Sequence, residues 1–265
     1  MKKYITVAAL LAAGTAFSNA ATLVTDLDMS ETQLDTVYGT SAATYETEGG
    51  ATATTGTWAN ITGSAWGGSA DGYSTTGLAV AFWMKSDYDE TNLASSATNQ
   101  DHPEWCAQWV WESCDPATAN ALSFGVAADG SLRLNLETKA GINTDAEIVN
   151  AGTWMHVGFL YVEGNLAIYV NGAQVATGTV DASNTIAYSG SQNLRLAEKN
   201  KNMSDGFSTW TGGIDELNVW NIESVNDGAA AISAAYASTI PEPSAFGLLA
   251  GLGALALVAS RRRRK

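Results

Sequence analysis

The sequence predicts an all-β fold of antiparallel strands, and three observations carry that prediction. The stretch from Gly152 to Gly178, GTWMHVGFLYVEGNLAIYVNGAQVATG, reads as strand, turn, strand, turn, strand. Within it, Asn171-Gly172 stands between two apolar runs. This is a strong hairpin signal, because a type I′ turn needs positive φ at both central residues. Charged residues make up only 15% of the chain while Gly, Ala, Ser and Thr are plentiful, which suits strands joined by many turns.

Both ends fall outside that fold. Residues 1–20 read as a signal peptide: Lys2-Lys3 is a basic start, Ile5 to Phe17 a short apolar run, and Ser18-Asn19-Ala20 small residues before Ala21. The competing reading, an N-terminal membrane anchor, suffers from the shortness of the apolar run. At the other end, Ile240-Pro241-Glu242-Pro243-Ser244 precedes an almost wholly apolar stretch and then Arg261 to Lys265. As a helix, residues 244–260 would extend about 25 Å, just enough to cross a bilayer with the basic cluster on the cytoplasmic side. Residues 21–239 remain for one domain. Between Ala21 and Ile240 stand 6 Lys/Arg against 26 Asp/Glu, a net of −20. Such a charge disfavours nucleic acid and anionic membrane surfaces and suits neutral glycans, cationic partners or divalent cations; solubility outside the cell explains it equally well.

The strands follow in order. Leu23 to Asp28 alternates and opens the domain. Residues 38–76, rich in Gly, Thr, Ser and Ala with Trp58, Trp66 and Tyr73 among them, read as short strands joined by loops. Gly77 to Lys85 puts Leu78, Val80, Phe82 and Met84 on one face and Ala79, Ala81, Trp83 and Lys85 on the other. Between Cys106 and Cys114, Trp109 and Trp111 are expected to share a face with Ala107, opposite Gln108, Val110 and Glu112. Two cysteines so close in an exported chain favour a local disulfide, worth roughly 2–3 kcal/mol, over free thiols or an intermolecular bridge. Ala121 to Val126 and Ser131 to Leu136 form a hairpin about Asp129-Gly130. In the organising stretch, Trp154, His156, Gly158 and Leu160 face one way, and Met155, Val157, Phe159 and Tyr161 the other. Asn193 to Ala197 and Gly212 to Trp220 are the last strands, and Val225 to Ala237 is Ala-rich enough for a short helix.

W-x-H-V at Trp154, I-Y-V-N-G ending at Gly172, and Gly213-Ile214-Asp215-Glu216-Leu217-Asn218-Val219-Trp220 occur in the order and at about the spacing of the laminin-G-like, or concanavalin A-like, domain family, which the chain resembles over roughly residues 74–237. The resemblance implies a jelly-roll β-sandwich of two antiparallel sheets, flanked here by the signal peptide and a C-terminal transmembrane helix. It implies no reaction, since this fold hosts lectins, adhesion modules, glycosidases and spacers. Residues 240–265 resemble the PEP-CTERM sorting signal of Gram-negative bacteria, which implies recognition and cleavage by an exosortase after export through signal peptidase. A cell-envelope, then cell-surface or extracellular, location follows.

Catalytic patterns are thin. Glycosidases of this fold place carboxylates at E-x-D-x-x-E, and no such spacing occurs. His156 alternates with Trp154 and reads as a packed structural histidine. Binding is better supported, because sugar C–H faces pack on aromatic planes and their hydroxyls need Asn, Asp and Gln. Trp105, Trp109, Trp111 and Gln108 are the candidates, against the competing reading that Trp109 and Trp111 are core; Trp105, outside the alternation, is expected to be exposed. Lectin-like members of the family often bind calcium, for which the resemblance nominates Asp215, with Asp28. C-x7-C lacks the ligands for a soft-metal site. The sequence thus favours a non-catalytic module binding glycan or a matrix polymer. A structural or adhesion protein binding other proteins or itself comes second, and a glycoside hydrolase third.

Overall fold

The computed structural model describes residues 21–27, 43–46, 58–61, 65–66, 70–87, 107–114, 118–188, 195–196 and 210–239. The signal peptide, the tail from residue 240, Asp28, Trp105 and Cys106 lie outside them. Fourteen strands and one helix fall within: β1 (Thr22–Leu27), β2 (Ala43–Glu46), β3 (Trp58–Ile61), β4 (Ala65–Trp66), β5 (Gly77–Ser86), β6 (Ala107–Glu112), β7 (Leu122–Ala127), β8 (Leu132–Leu136), β9 (Ala140–Asn143), β10 (Trp154–Val162), β11 (Asn165–Val170), β12 (Ala173–Thr179), β13 (Arg195–Leu196), β14 (Gly212–Asn221) and α1 (Val225–Thr239). They form two antiparallel sheets. One has eight strands in the order β12-β11-β10-β5-β14-β3-β2, with β1 also paired to β14; the other has six, β4-β13-β6-β7-β8-β9.

The period-2 pattern of β5 and β10 decides which side meets the second sheet. Leu78, Val80, Phe82 and Met84, with Val157, Phe159 and Tyr161, are buried between the sheets against Phe124, Leu132, Leu134 and Leu136. Phe124 stacks on Phe159 at 4.7 Å. Each such side chain contributes about 1.5–3 kcal/mol of apolar burial.

The other side of β5 and β10 carries small residues, and α1 lies there. Ala79, Ala81, Leu160, Val162 and Trp220 pack against Ala231, Ile232 and Ala235. Gly158 makes this approach possible: a Cβ there would stand 2.5 Å from Ile232 Cγ2. Ser224 starts the helix by accepting a hydrogen bond from the Asp227 N–H at 3.2 Å while donating to the Asp227 carboxylate at 2.7 Å.

The turns obey local chemistry. Asn171 and Gly172 take φ of 49° and 77°, the pair that a type I′ turn requires. At Asp129-Gly130 the loop is longer than a two-residue turn: the Ala127 N–H bonds the Ser131 carbonyl at 2.8 Å across three residues, and only Gly130 is left-handed, with φ of 75°. The stretch 137–151 contains β9.

One expectation is overturned, and two fall outside the described residues. Trp109 and Trp111 do not share a face. A bulge at Val110 pairs Trp109 with Gly125 but Trp111 with Phe124, so Trp111 turns into the core beside Val110 while Trp109 faces outward. The expected Cys106–Cys114 disulfide falls outside the described residues, because Cys106 is not among them; Cys114 is buried, its Sγ 3.9 Å from the Ser113 hydroxyl. Residues 244–260, expected as a transmembrane helix, also lie outside the described residues, among which no helix is long and apolar enough to cross a membrane.

Candidate ligand-binding face

Inward Leu132, Leu134 and Leu136 on β8 leave Arg133 and Asn135 on the outer side of the six-stranded sheet. Register extends this side into two cross-strand rows. One runs Trp109, Gly125, Arg133, Asn143; the other runs Glu112, Ser123, Asn135, Gly141. Arg195 of β13 stands opposite Glu112, and Trp66 of β4 opposite Arg195.

The rows are held by hydrogen bonds. Arg133 Nη1 donates to Asn143 Oδ1 at 2.9 Å, and its guanidinium fills the space a Cβ at Gly141 would need, with Nη2 2.8 Å from that position. Asn143 Nδ2 donates to Ser131 Oγ at 3.2 Å, and Asn135 Nδ2 to Glu137 Oε2 at 2.7 Å. At the β6 end, the Ser123 hydroxyl donates to Glu112 Oε1 at 3.2 Å. Gly125 lets the bulged β6 backbone approach, since a Cβ there would fall 2.2 Å from the Gln108 carbonyl oxygen.

Exposure divides the face. Gly141 is exposed and Arg133, Asn135 and Asn143 are half-buried, so the β8–β9 part is open to solvent. At the β6–β7 part, Trp109 is 3% exposed and Glu112 and Ser123 are fully buried. The Trp109 indole N–H has no acceptor. Trp111 and Trp210, both in the core, share that property, so the orphan donor marks a site only in combination with the outward direction of Trp109.

The sequence-nominated residues are therefore separated. Trp109 belongs to this face. Trp111 is buried between the sheets, its ring 5.4 Å from Phe159. Gln108 is buried, opposite Val126 of the inner side. Asp215 lies on β14 in the other sheet, in a bulge where Glu216 takes φ of 51° and gives its N–H to Asp215 Oδ1 at 2.9 Å. Among the described residues no group of three His, Cys, Asp or Glu is placed to hold a metal. Arg133, Asn135 and Asn143 were not nominated, although the Leu-Arg-Leu-Asn-Leu alternation marks the first two as outward.

His156, read as structural, is 1% exposed on the helix-covered side of β10, its ring 5.4 Å from Trp83 and 5.3 Å from Tyr236. Burial pushes its imidazole down to about 4. Two polar clefts lie elsewhere. One of about 590 Å³ is lined by Thr22, Ser74, Thr76, Glu163, Asn221 and Glu223, and one of about 480 Å³ by Lys139, Asp181, Ser183 and Asn184, with their neighbours.

Residues 239–264 match the PEP-CTERM protein-sorting motif, a signal that implies export and sorting to the envelope. No curated protein matches the chain. Similar solved structures include domain 4 of AbnA, a GH43 extracellular arabinanase from Geobacillus stearothermophilus, in complex with arabinotriose. It shares 15% identity over 80% of this chain and 98% of that one, with a TM-score of 0.49. The native heptameric SAP-like pentraxin from Limulus polyphemus shares 17% over 64% and 80%, at 0.39. The botulinum neurotoxin serotype D binding domain shares 12% over 70% of this chain, at 0.49, and the chain spans 43% of that structure's length. Residues 68–226 match the family model of the concanavalin A-like lectin/glucanases superfamily, more than half of the chain, and with the two-sheet architecture this establishes that the protein belongs to that superfamily.

Proposed function

We propose that the protein is an exported, envelope-sorted, non-catalytic binding module whose ligand is a glycan of the cell surface or extracellular matrix. The observation that carries the reading is the outer side of the six-stranded sheet. There Arg133 is bonded to Asn143 and shares a cross-strand row with the outward-facing Trp109, while Asn135, bonded to Glu137, stands in the adjacent row. Fixed donors and acceptors on the solvent-open β8–β9 part of the face suit the hydroxyls of a sugar. The carboxylates of this face serve as acceptors for Ser123 and Asn135, which suits binding rather than hydrolysis. A structural or adhesion role is the second reading. It is favoured by β12, an uncharged outer strand whose Val175 is 41% exposed. In either case the tail would anchor the precursor in the membrane through residues 244–260 until an exosortase acts on it.

The test is a glycan-array screen of residues 21–239, with and without EDTA, followed by titration of the best ligand. Arg133→Ala is expected to weaken binding about tenfold or more, as for a lost charge-assisted contact, at an unchanged melting temperature. Trp105→Ala, on the reading that this ring is exposed, weakens it severalfold. Loss with EDTA would assign a calcium ion, with Asp215 as the first ligand to test. Absence of any glycan binding at millimolar concentration overturns the reading in favour of the structural one.

A further inference from the structure

We infer that the cleft beside the first residue of β1 is a binding site for the N-terminal ammonium of the mature chain, which the carboxylates of Glu223 and Glu163 hold. The inference rests on the reading of residues 1–20 as a signal peptide. Hydrolysis of the Ala20–Ala21 peptide bond adds water across it, leaving a carboxylate on Ala20 and an amine on Ala21. At neutral pH that amine takes up a proton, since an α-amino group ordinarily titrates at about 7.7–8.0.

Strand register brings the new chain end to the cleft. Thr22 pairs with Asn221 in the antiparallel ladder of β1 and β14. Ala21 therefore continues the ladder opposite Ile222, with Glu223 the next residue along. Ala21 packs against the same buried cluster as Ile222 and Val225, so the chain is seated on the sheet one residue before β1 begins. Thr22, Asn221, Ile222, Glu223 and Glu163 all line the cleft of about 590 Å³.

Its walls are fixed by hydrogen bonds. Asn221 Oδ1 accepts the Ser74 N–H at 2.6 Å, and its Nδ2 donates to the Gly72 carbonyl at 2.6 Å. The Glu163 N–H donates to the Thr76 carbonyl at 3.0 Å, and the Ile222 N–H to the Gly77 carbonyl at 3.1 Å. Both glutamates are exposed, and no Lys or Arg stands among the described residues that line the cleft. In the precursor the Ala21 nitrogen is an uncharged amide. In the mature chain it is an ammonium with three donors, facing groups that only accept. Removal of the signal peptide thus supplies a cation to a cleft that has none, and the start of β1 is pinned to the end of β14 only after export.

The experiment uses the full chain exported from its host. N-terminal sequencing is expected to read Ala-Thr-Leu-Val. The α-amine is then acylated at pH 7 in this protein and in the Glu163→Gln/Glu223→Gln double variant, whose changes fall on exposed side chains. Only the unprotonated amine reacts, and nearby carboxylates favour the protonated form, so the parent should react about threefold more slowly than the variant. That difference should shrink at high salt. Equal rates in two proteins that both begin at Ala21 overturn the inference and leave the signal-peptide reading standing. A chain that begins elsewhere, or keeps residues 1–20, removes that reading and the inference with it.

Discussion

Burial lowers the His156 imidazole from 6.5 to about 4, and the consequence for stability has a definite sign. Between those values the unfolded chain binds a proton that the folded one does not, so stability is complete above pH 6.5 and is lost progressively down to about pH 4. The loss amounts to about 3 kcal/mol. The Trp83 and Tyr236 rings against it carry no charge to compensate an imidazolium, and its own backbone N–H is already given to Asn171 Oδ1. His156→Phe should flatten the decline of melting temperature from pH 7 to pH 4; parallel declines in both proteins would exclude His156 as its source. Trp111 makes a second test at this scale. Fully buried beside Phe159, it should cost about 3–5 kcal/mol as Trp111→Ala in denaturant unfolding, with ligand affinity of the folded fraction unchanged.

At the scale of elements, the contact of α1 with β10 rests on a glycine facing an isoleucine. Gly158→Ala places a methyl 2.5 Å from Ile232 Cγ2 in a fully buried contact, an overpacking expected to cost about 1–3 kcal/mol. Ile232→Ala should absorb most of that cost, so the double-mutant cycle shows strong coupling; simple additivity would mean that α1 does not pack as described. These elements were legible to different degrees. The hairpins about Asn171-Gly172 and the alternation of β5 and β10 are local, and the sequence shows them directly. Bulges are not local. The extra residue at Val110, and the one at Asp215-Glu216, exist only against a neighbouring strand, and each reverses the facing of everything beyond it. That is why strict alternation put Trp109 with Trp111. The polar part of the candidate face was visible in the Leu-Arg-Leu-Asn-Leu run of β8, but its partner Asn143 lies on β9, a four-residue strand with little apolar signal.

At the scale of the molecule, the eight-stranded sheet has two covered sides and only one is covered by the other sheet. The sequence hints at this, because β5 is apolar on both faces: Leu78, Val80 and Phe82 meet the six-stranded sheet, while Ala79 and Ala81 meet α1. A sandwich sheet with one side in water would alternate apolar with polar. The helix is therefore part of the fold, and a chain ended at residue 224 uncovers Leu160, Val162, Ala167 and Trp220 together with the two alanines. Single exposed apolar residues are ordinary, but a contiguous patch seeks a partner. Between Ala21 and Ile240 the charge is −20, so copies repel one another and association must be driven by the patch. Residues 21–239 should sediment as a single species and unfold in one transition. Residues 21–224 should bind an apolar dye and self-associate, more so at high salt, where repulsion is screened. A monodisperse 21–224 species with an unchanged melting temperature would show that the sheet does not need α1.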